Sequence, residues 1–167
     1  HERVMFLEVM GRDAGHIAIS AGVSGGADVI LIPEIPYDPV RVANKIRGRQ
    51  QLGRLFSIVV VAEGALPIGS GSLTKAERKK RIHRGGGAAA VAMAQLDGRI
   101  EAEMRSCVLG HLQRGGSPVA FDRLLATRFG VCAVKLVAEG RWGEMACLQD
   151  GHVDGVPIHQ AIDTYRL

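Results

Sequence analysis

The chain has 167 residues, 47% of them apolar and 23% charged, with a net charge of +4. That is enough apolar content for a globular domain with a core, and too much for a disordered chain. The longest purely apolar run is about seven residues, far below the ~20 that cross a bilayer. Cys107, Cys132 and Cys147 are odd in number, widely spaced and without C-x-x-C spacing. They argue against a disulfide framework or structural zinc, and for a reducing cytoplasm.

The basic balance invites a nucleic-acid reading. However, the arginines are dispersed among apolar segments, and no RNP, zinc-finger or basic-zipper pattern occurs. Solvated surface accounts for most of this charge and anionic small molecules for the rest, so neither nucleic acid nor membrane is an expected partner. Aromatics are scarce at 4%, while Gly, at 22 residues, and Ala are abundant. This suits close packing of helices on a sheet. No charged-then-apolar leader opens the chain, which starts at His1 just before a strand-like run, as expected of part of a longer protein.

Arg3–Val9 is β-like and ends at Met10-Gly11-Arg12. Residues 13–23 carry small and apolar side chains at helical spacing, stopped by Gly25-Gly26. Residues 28–33 form a continuous apolar run, as in a buried parallel strand. An amphipathic helix over 38–51 follows, with Val40, Val42, Ala43 and Ile46 as its inner face. Phe56–Ala62 is a second buried strand, and Glu63-Gly64 follows it directly.

Residues 67–98 differ in character: a loop, then a charged helix at 74–84 opened by Thr74 and Glu77 in capping-box spacing. Gly85-Gly86-Gly87 breaks that helix, and a small-residue helix runs over 88–96. The triple glycine lacks the Walker lysine and hydroxyl residue and reads as a hinge. The basic run within 74–84 reads as a solvated helix face.

After strand-like Cys107–Leu109 comes Gly110-His111-Leu112-Gln113-Arg114-Gly115-Gly116. A long helix over 122–138 is expected to turn Leu124, Leu125, Ala133 and Val134 inward. Strands at 144–148 and 152–156 and a short helix at 158–165 close the chain.

Strands and helices in alternation predict a parallel sheet with right-handed crossovers. Ligands of such sheets sit outside the carboxyl ends of the strands. Met10-Gly11-Arg12, Glu63-Gly64 and the segment from Gly110 all fall at such ends. Arginine offers a planar fork to phosphate oxygens, glycines let the backbone come close, and one histidine adds a donor. His111 and Arg114 therefore read as the anion grip. His16, His83, His152 and His159 have no such setting.

These motifs resemble a known family. Arg105, Gly110, His111, Gln113, Arg114, Gly115, Gly116, Asp122 and Arg123 satisfy R-x4-G-H-x-Q-R-G-G-x5-D-R, the signature of the 6-phosphofructokinases. E-V-M-G-R-D-A-G at 8–15, G-G-A-D-V-I-L-I-P-E at 25–34 and V-A-E-G at 61–64 are family-like and in the right order. The chain resembles the C-terminal half, the region 67–98 excepted. The resemblance implies a three-layer α/β/α phosphofructokinase-like fold, with part of a second α/β domain. In that reading 1–112 is the fructose 6-phosphate domain, 113–163 a return segment packing on the nucleotide-binding domain, and 67–98 an inserted helical region.

The implied reaction is phosphoryl transfer from ATP to the 1-hydroxyl of fructose 6-phosphate, with Mg²⁺; the alternatives are pyrophosphate as the donor, or a non-catalytic relative that binds sugar phosphate. The implied substrate-binding residues are Arg3, Met10, Gly11, Arg12, Glu63, Arg105, His111, Leu112, Gln113 and Arg114. Arg12 is the catalytic member, close to the transferring group. Arg3 and Arg105 match arginines that reach a neighbouring subunit's site, so a homo-oligomer is expected. The family's catalytic T-x-D-N and its nucleotide loop G-G-x-x-S/T do not occur in this sequence, and neither metal nor nucleotide ligands are expected within it. Asp28 and Arg54 match allosteric-site positions of compact members, but a strand-start Asp and a surface Arg are the preferred readings.

Overall fold

The computed structural model describes residues 2–70 and 74–163. The chain divides into two compact units, His1–Gly115 and Gly116–Leu167.

In the first unit, β1 (Arg3–Val9), β2 (Val29–Leu31), β3 (Phe56–Ala62) and β4 (Glu103–Val108) form one sheet in the order β2-β3-β1-β4. All its pairings are parallel. The alternation of β1 sorts its side chains between two faces. Val4 and Phe6 join Val59 and Val61 of β3 in one apolar layer, covered by α2 (Pro39–Gln51) and α4 (Ala88–Leu96). Val9, Val60 and Ala62 meet Ala18 of α1 (His16–Ser24) on the other face. The result is three layers, helices on both sides of a parallel sheet.

Local chemistry sets the element ends. Asp38 caps α2, its Oδ1 accepting from the Val40 N–H at 2.8 Å, with Pro39 in the first turn. Such caps contribute about 1 kcal/mol. Thr74 and Glu77 form the capping box of α3 (Lys75–Arg84). The Thr74 backbone N–H, then its hydroxyl, hold the Glu77 carboxyl below the usual range. α4, within the stretch 67–98, is part of the core: Ala88, Ala89, Ala92 and Leu96 are buried.

Several expectations need correction. α1 starts at His16 rather than at 13, because residues 10–15 are taken up by the turn off β1, and Gly15 donates its N–H to Glu34 Oε1 at 2.8 Å. β2 is confined to Val29–Leu31: Ile32 already bridges to Ile35, turning the chain back. Val40 is 44% exposed, since helical periodicity sets it about 110° from the centre of the stripe Val42, Ala43 and Ile46. Asp28 needs no such correction: it accepts from the Ile58 N–H at 2.9 Å and pairs with Arg49 at 2.9 Å, in keeping with the strand-start reading.

The second unit packs α5 (Ala120–Ala138) on an antiparallel hairpin of β5 (Glu144–Gln149) and β6 (His152–Pro157), with α6 (Ile158–Asp163) after it. Arg141 ties the end of α5 to both strands through Glu139, Glu144 and Asp154. The Gly155 N–H, then Arg141, hold the Asp154 carboxyl below the usual range. Of the expected inner face of α5, Leu125 alone lies on the covered flank. Cys132 and Leu136 are buried and Leu125 and Phe129 half-buried, whereas Leu124 and Val134 are 66% and 70% exposed and Ala133 is exposed too. α5 is apolar on two opposite flanks, and the hairpin covers the flank centred on Cys132. Leu124, Val131 and Val134 form the uncovered one. Among the described residues, no helix is long and apolar enough to cross a membrane.

Candidate functional site

Sheet order and strand direction build the candidate site. β3, β1 and β4 are neighbours and parallel, so their carboxyl ends lie side by side. Past β1 comes Met10-Gly11-Arg12, past β3 Glu63-Gly64, and past β4 a short 3-10 helix, Gly110–Arg114.

Hydrogen bonds stitch these tips together. The Glu63 N–H donates to Val9 O at 2.9 Å, Gly64 N–H to Gly11 O at 3.1 Å, and Leu109 N–H to Glu8 O at 3.0 Å. The Met10 N–H donates to the side-chain Oε1 of Gln113 at 2.7 Å. Because an N–H requires an acceptor, this bond fixes the amide's orientation, and its NH₂ donors face away from Met10. Gln113 thereby holds the turn carrying His111 and Arg114 against the turn carrying Arg12.

The side chains at this edge suit an anionic, hydroxyl-rich ligand. His111, Gln113 and Arg114 are exposed and Glu63 is half-buried. Arg12 is exposed and pairs with Asp13 at 3.2 Å. Leu112 is 76% exposed. Arg114 and His111 both lie in the last turn of the 3-10 helix, offering a guanidinium and an imidazole from one segment.

The triple glycine does different work. Gly87 precedes α4 with φ 112°, and a Cβ there would lie 2.7 Å from Glu8 Oε2. Glu8, only 7% exposed, accepts from the Ala89 N–H at 2.9 Å. The positive end of α4 is thus satisfied by a carboxylate from β1.

Arg3 and Arg105 are not at this edge. Arg3 begins β1 and Arg105 lies two residues into β4. Strand rise places Arg3 about 23 Å from Met10. Both arginines bind Glu103: Arg3 Nε to Oε2 at 2.7 Å, and Arg105 Nε and Nη2 to Oε1 at 2.8 and 2.5 Å.

Sequence reasoning missed Glu103, Glu8 and Glu34. For Glu103 a signal existed: Glu103-Met104-Arg105 puts acid and base on one face of a strand. Its second partner needed the β1–β4 register. Among the described residues, no group of three or more His, Cys, Asp or Glu is arranged to hold a metal ion. Cys107, Cys132 and Cys147 are all free thiols.

An open parallel sheet covered on both faces, with polar turns gathered at its carboxyl edge, defines an α/β protein of the ligand-binding open-sheet class. The family model "Phosphofructokinase" matches residues 1–137. An ATP-dependent 6-phosphofructokinase 1 of Synechocystis sp. is 51% identical over 166 residues, covering 99% of this chain and 46% of the relative. An ATP-dependent 6-phosphofructokinase of Chloroflexus aurantiacus is 52% identical, covering 96% of this chain and 44% of the relative. Among solved structures, Pichia pastoris phosphofructokinase in the T-state matches with a TM-score of 0.74 and 32% identity, over 98% of this chain and 18% of that one. A pyrophosphate-dependent phosphofructokinase from Marinobacter aquaeolei matches with a TM-score of 0.72 and 25% identity, over 96% and 40%. The chain belongs to the phosphofructokinase family. It spans about half the length of the curated relatives it matches.

Proposed function

We propose that this chain carries the sugar-phosphate half-site of an ATP-dependent 6-phosphofructokinase, which transfers a phosphoryl group to the 1-hydroxyl of fructose 6-phosphate. The observation that carries the reading is the stitched row of strand tips, with Arg12, Glu63, His111 and Arg114 on neighbouring parallel strands. The names of relatives about half identical to it support ATP as donor. Likeness to a pyrophosphate-dependent structure favours pyrophosphate as the second reading.

In this proposal residues 1–112 form the sugar-phosphate domain and 113–163 return toward a nucleotide-binding domain. His111 and Arg114 donate to the 6-phosphate, where arginine's fork matches the oxygens. Gln113 adds its free NH₂ donors, and Met10, Gly11 and Leu112 line the pocket. Glu63 accepts from sugar hydroxyls. Arg12 neutralises charge beside the transferring group, since phosphoryl transfer is driven by positioning and charge stabilisation. Arg3 and Arg105, at the far end of the strands, serve a neighbouring copy's 6-phosphate, which requires a homo-oligomer. A cytoplasmic enzyme fits this chemistry.

The catalytic carboxylate and nucleotide loop of the family are not in this sequence, so the chain by itself is expected to give no turnover with ATP, Mg²⁺ and fructose 6-phosphate. A hybrid joining it behind the amino-terminal half of the Chloroflexus aurantiacus relative is expected to be active in a coupled assay. Turnover by the isolated chain, or a folded hybrid without any, would overturn the proposal.

A further inference from the structure

Glu103 stands between two cations that belong to different strands. The β1–β4 register sets Arg3 directly opposite Glu103, and pleat alternation puts Arg105 on the same face. One carboxylate oxygen is taken by Arg3 and the other by Arg105. All three side chains are substantially exposed, at 42%, 44% and 60%. Exposed ion pairs add little to stability, so holding the fold together does not account for this arrangement. What it does is aim two guanidiniums at one point.

That point suits an anion with more charge than the one already there. Two guanidiniums against one carboxylate leave a surplus positive charge. Each guanidinium also carries about five N–H donors, of which Glu103 engages one on Arg3 and two on Arg105. A phosphate monoester brings a charge of about −2 and three acceptor oxygens. It can engage both forks more fully than a carboxylate with two oxygens. Arg105 foremost, and then Arg3, hold the Glu103 carboxyl below the usual range, so it is ionised throughout the neutral range and competes there.

We infer that Glu103 is a positioning residue, an internal counter-anion that keeps Arg3 and Arg105 assembled as a clamp and is displaced from it by a phosphate monoester. The inference rests on the reading of these two arginines as phosphate ligands. It goes beyond that reading in assigning the clamp a built-in competitor. Glu103 acts as a filter: a dianion displaces it, whereas a monocarboxylate, no stronger than Glu103 itself, does not.

The test is titration of the chain with inorganic phosphate and, separately, with acetate, followed through the ¹⁵Nε–H signals of Arg3 and Arg105. In the unaltered chain phosphate is expected to shift both signals and acetate neither. Glu103→Gln is expected to bind phosphate about tenfold more tightly, the size of a charge-assisted contact no longer contested, and to admit acetate. Its urea midpoint is expected to stay unchanged, which separates this role from a structural one. Unchanged or weaker phosphate binding in Glu103→Gln, with binding intact in the unaltered chain, would overturn the role of Glu103 and leave the arginines as phosphate ligands. Absence of any phosphate shift at either arginine in both chains would overturn the reading of the arginines, and this inference with it.

Discussion

Gly64→Ala is expected to destabilise the first unit by about 3 kcal/mol, the upper end of what overpacking costs. It is also expected to abolish tight sugar-phosphate binding in the active hybrid. Gly64 passes so close to the turn off β1 that a Cβ would fall far inside contact distance of the Arg12 carbonyl oxygen. Its N–H is bonded to Gly11 O at 3.1 Å, so the two turns are laced together where the collision would occur. Neither side can yield easily. Ala65 and Leu66 beyond it are buried, at 1% and 5% exposure, and Arg12 sits between Gly11 and the start of α1. Relief must come from the turn carrying Arg12, which is the turn the proposed chemistry needs fixed. Urea unfolding would measure the first effect and the KM for fructose 6-phosphate the second. A variant with unchanged midpoint and KM would show that the close approach does not constrain this edge.

Arg114→Ala in the same hybrid is expected to weaken fructose 6-phosphate binding by about 1.5–3 kcal/mol, the range for a lost hydrogen bond to a charged group. That corresponds to roughly a tenfold to 150-fold rise in KM. Arg114 is exposed, so the variant should keep its stability, and the loss would fall on the ligand. His83→Ala, on the exposed side of α3, serves as the comparison and is expected to leave KM alone. Equal effects from both would mean that the anion grip has been misplaced. A pure kcat effect in Arg114→Ala would move the residue from ground-state binding to the transition state.

The strands were the most legible part of the sequence. β1 and β3 run over Arg3–Val9 and Phe56–Ala62, the residues their apolar patterns single out, because parallel strands buried on both faces tolerate little else. Their polar tips were legible for the same reason: once the strands are parallel, their ends must share an edge. What could not be read were features decided by partners distant in sequence. The bond from Met10 to Gln113 spans 103 positions, and the capture of Arg3 by Glu103 spans 100. Asp122, the expected start of α5, lies inside its first turn instead. Its carboxylate accepts from the Val119 N–H at 3.0 Å, which lets the helix begin at Ala120. The inward flank of α5 was misread because both flanks are apolar, and hydrophobic periodicity alone does not say which one a neighbour covers.

The polarity of the sheet carries one more consequence. β1 holds Arg3 and the Met10 turn at opposite ends of a stiff spacer, so no single copy can fold both onto one phosphate. In the proposed assembly, damage at Arg105 is felt in a neighbour's pocket, while damage at Arg114 is felt at home. A mixed pair, one of each kind, would therefore hold one intact pocket and one damaged twice over, and so regain part of the activity that either kind alone lacks. Heredity at this locus would follow the oligomer rather than the individual polypeptide.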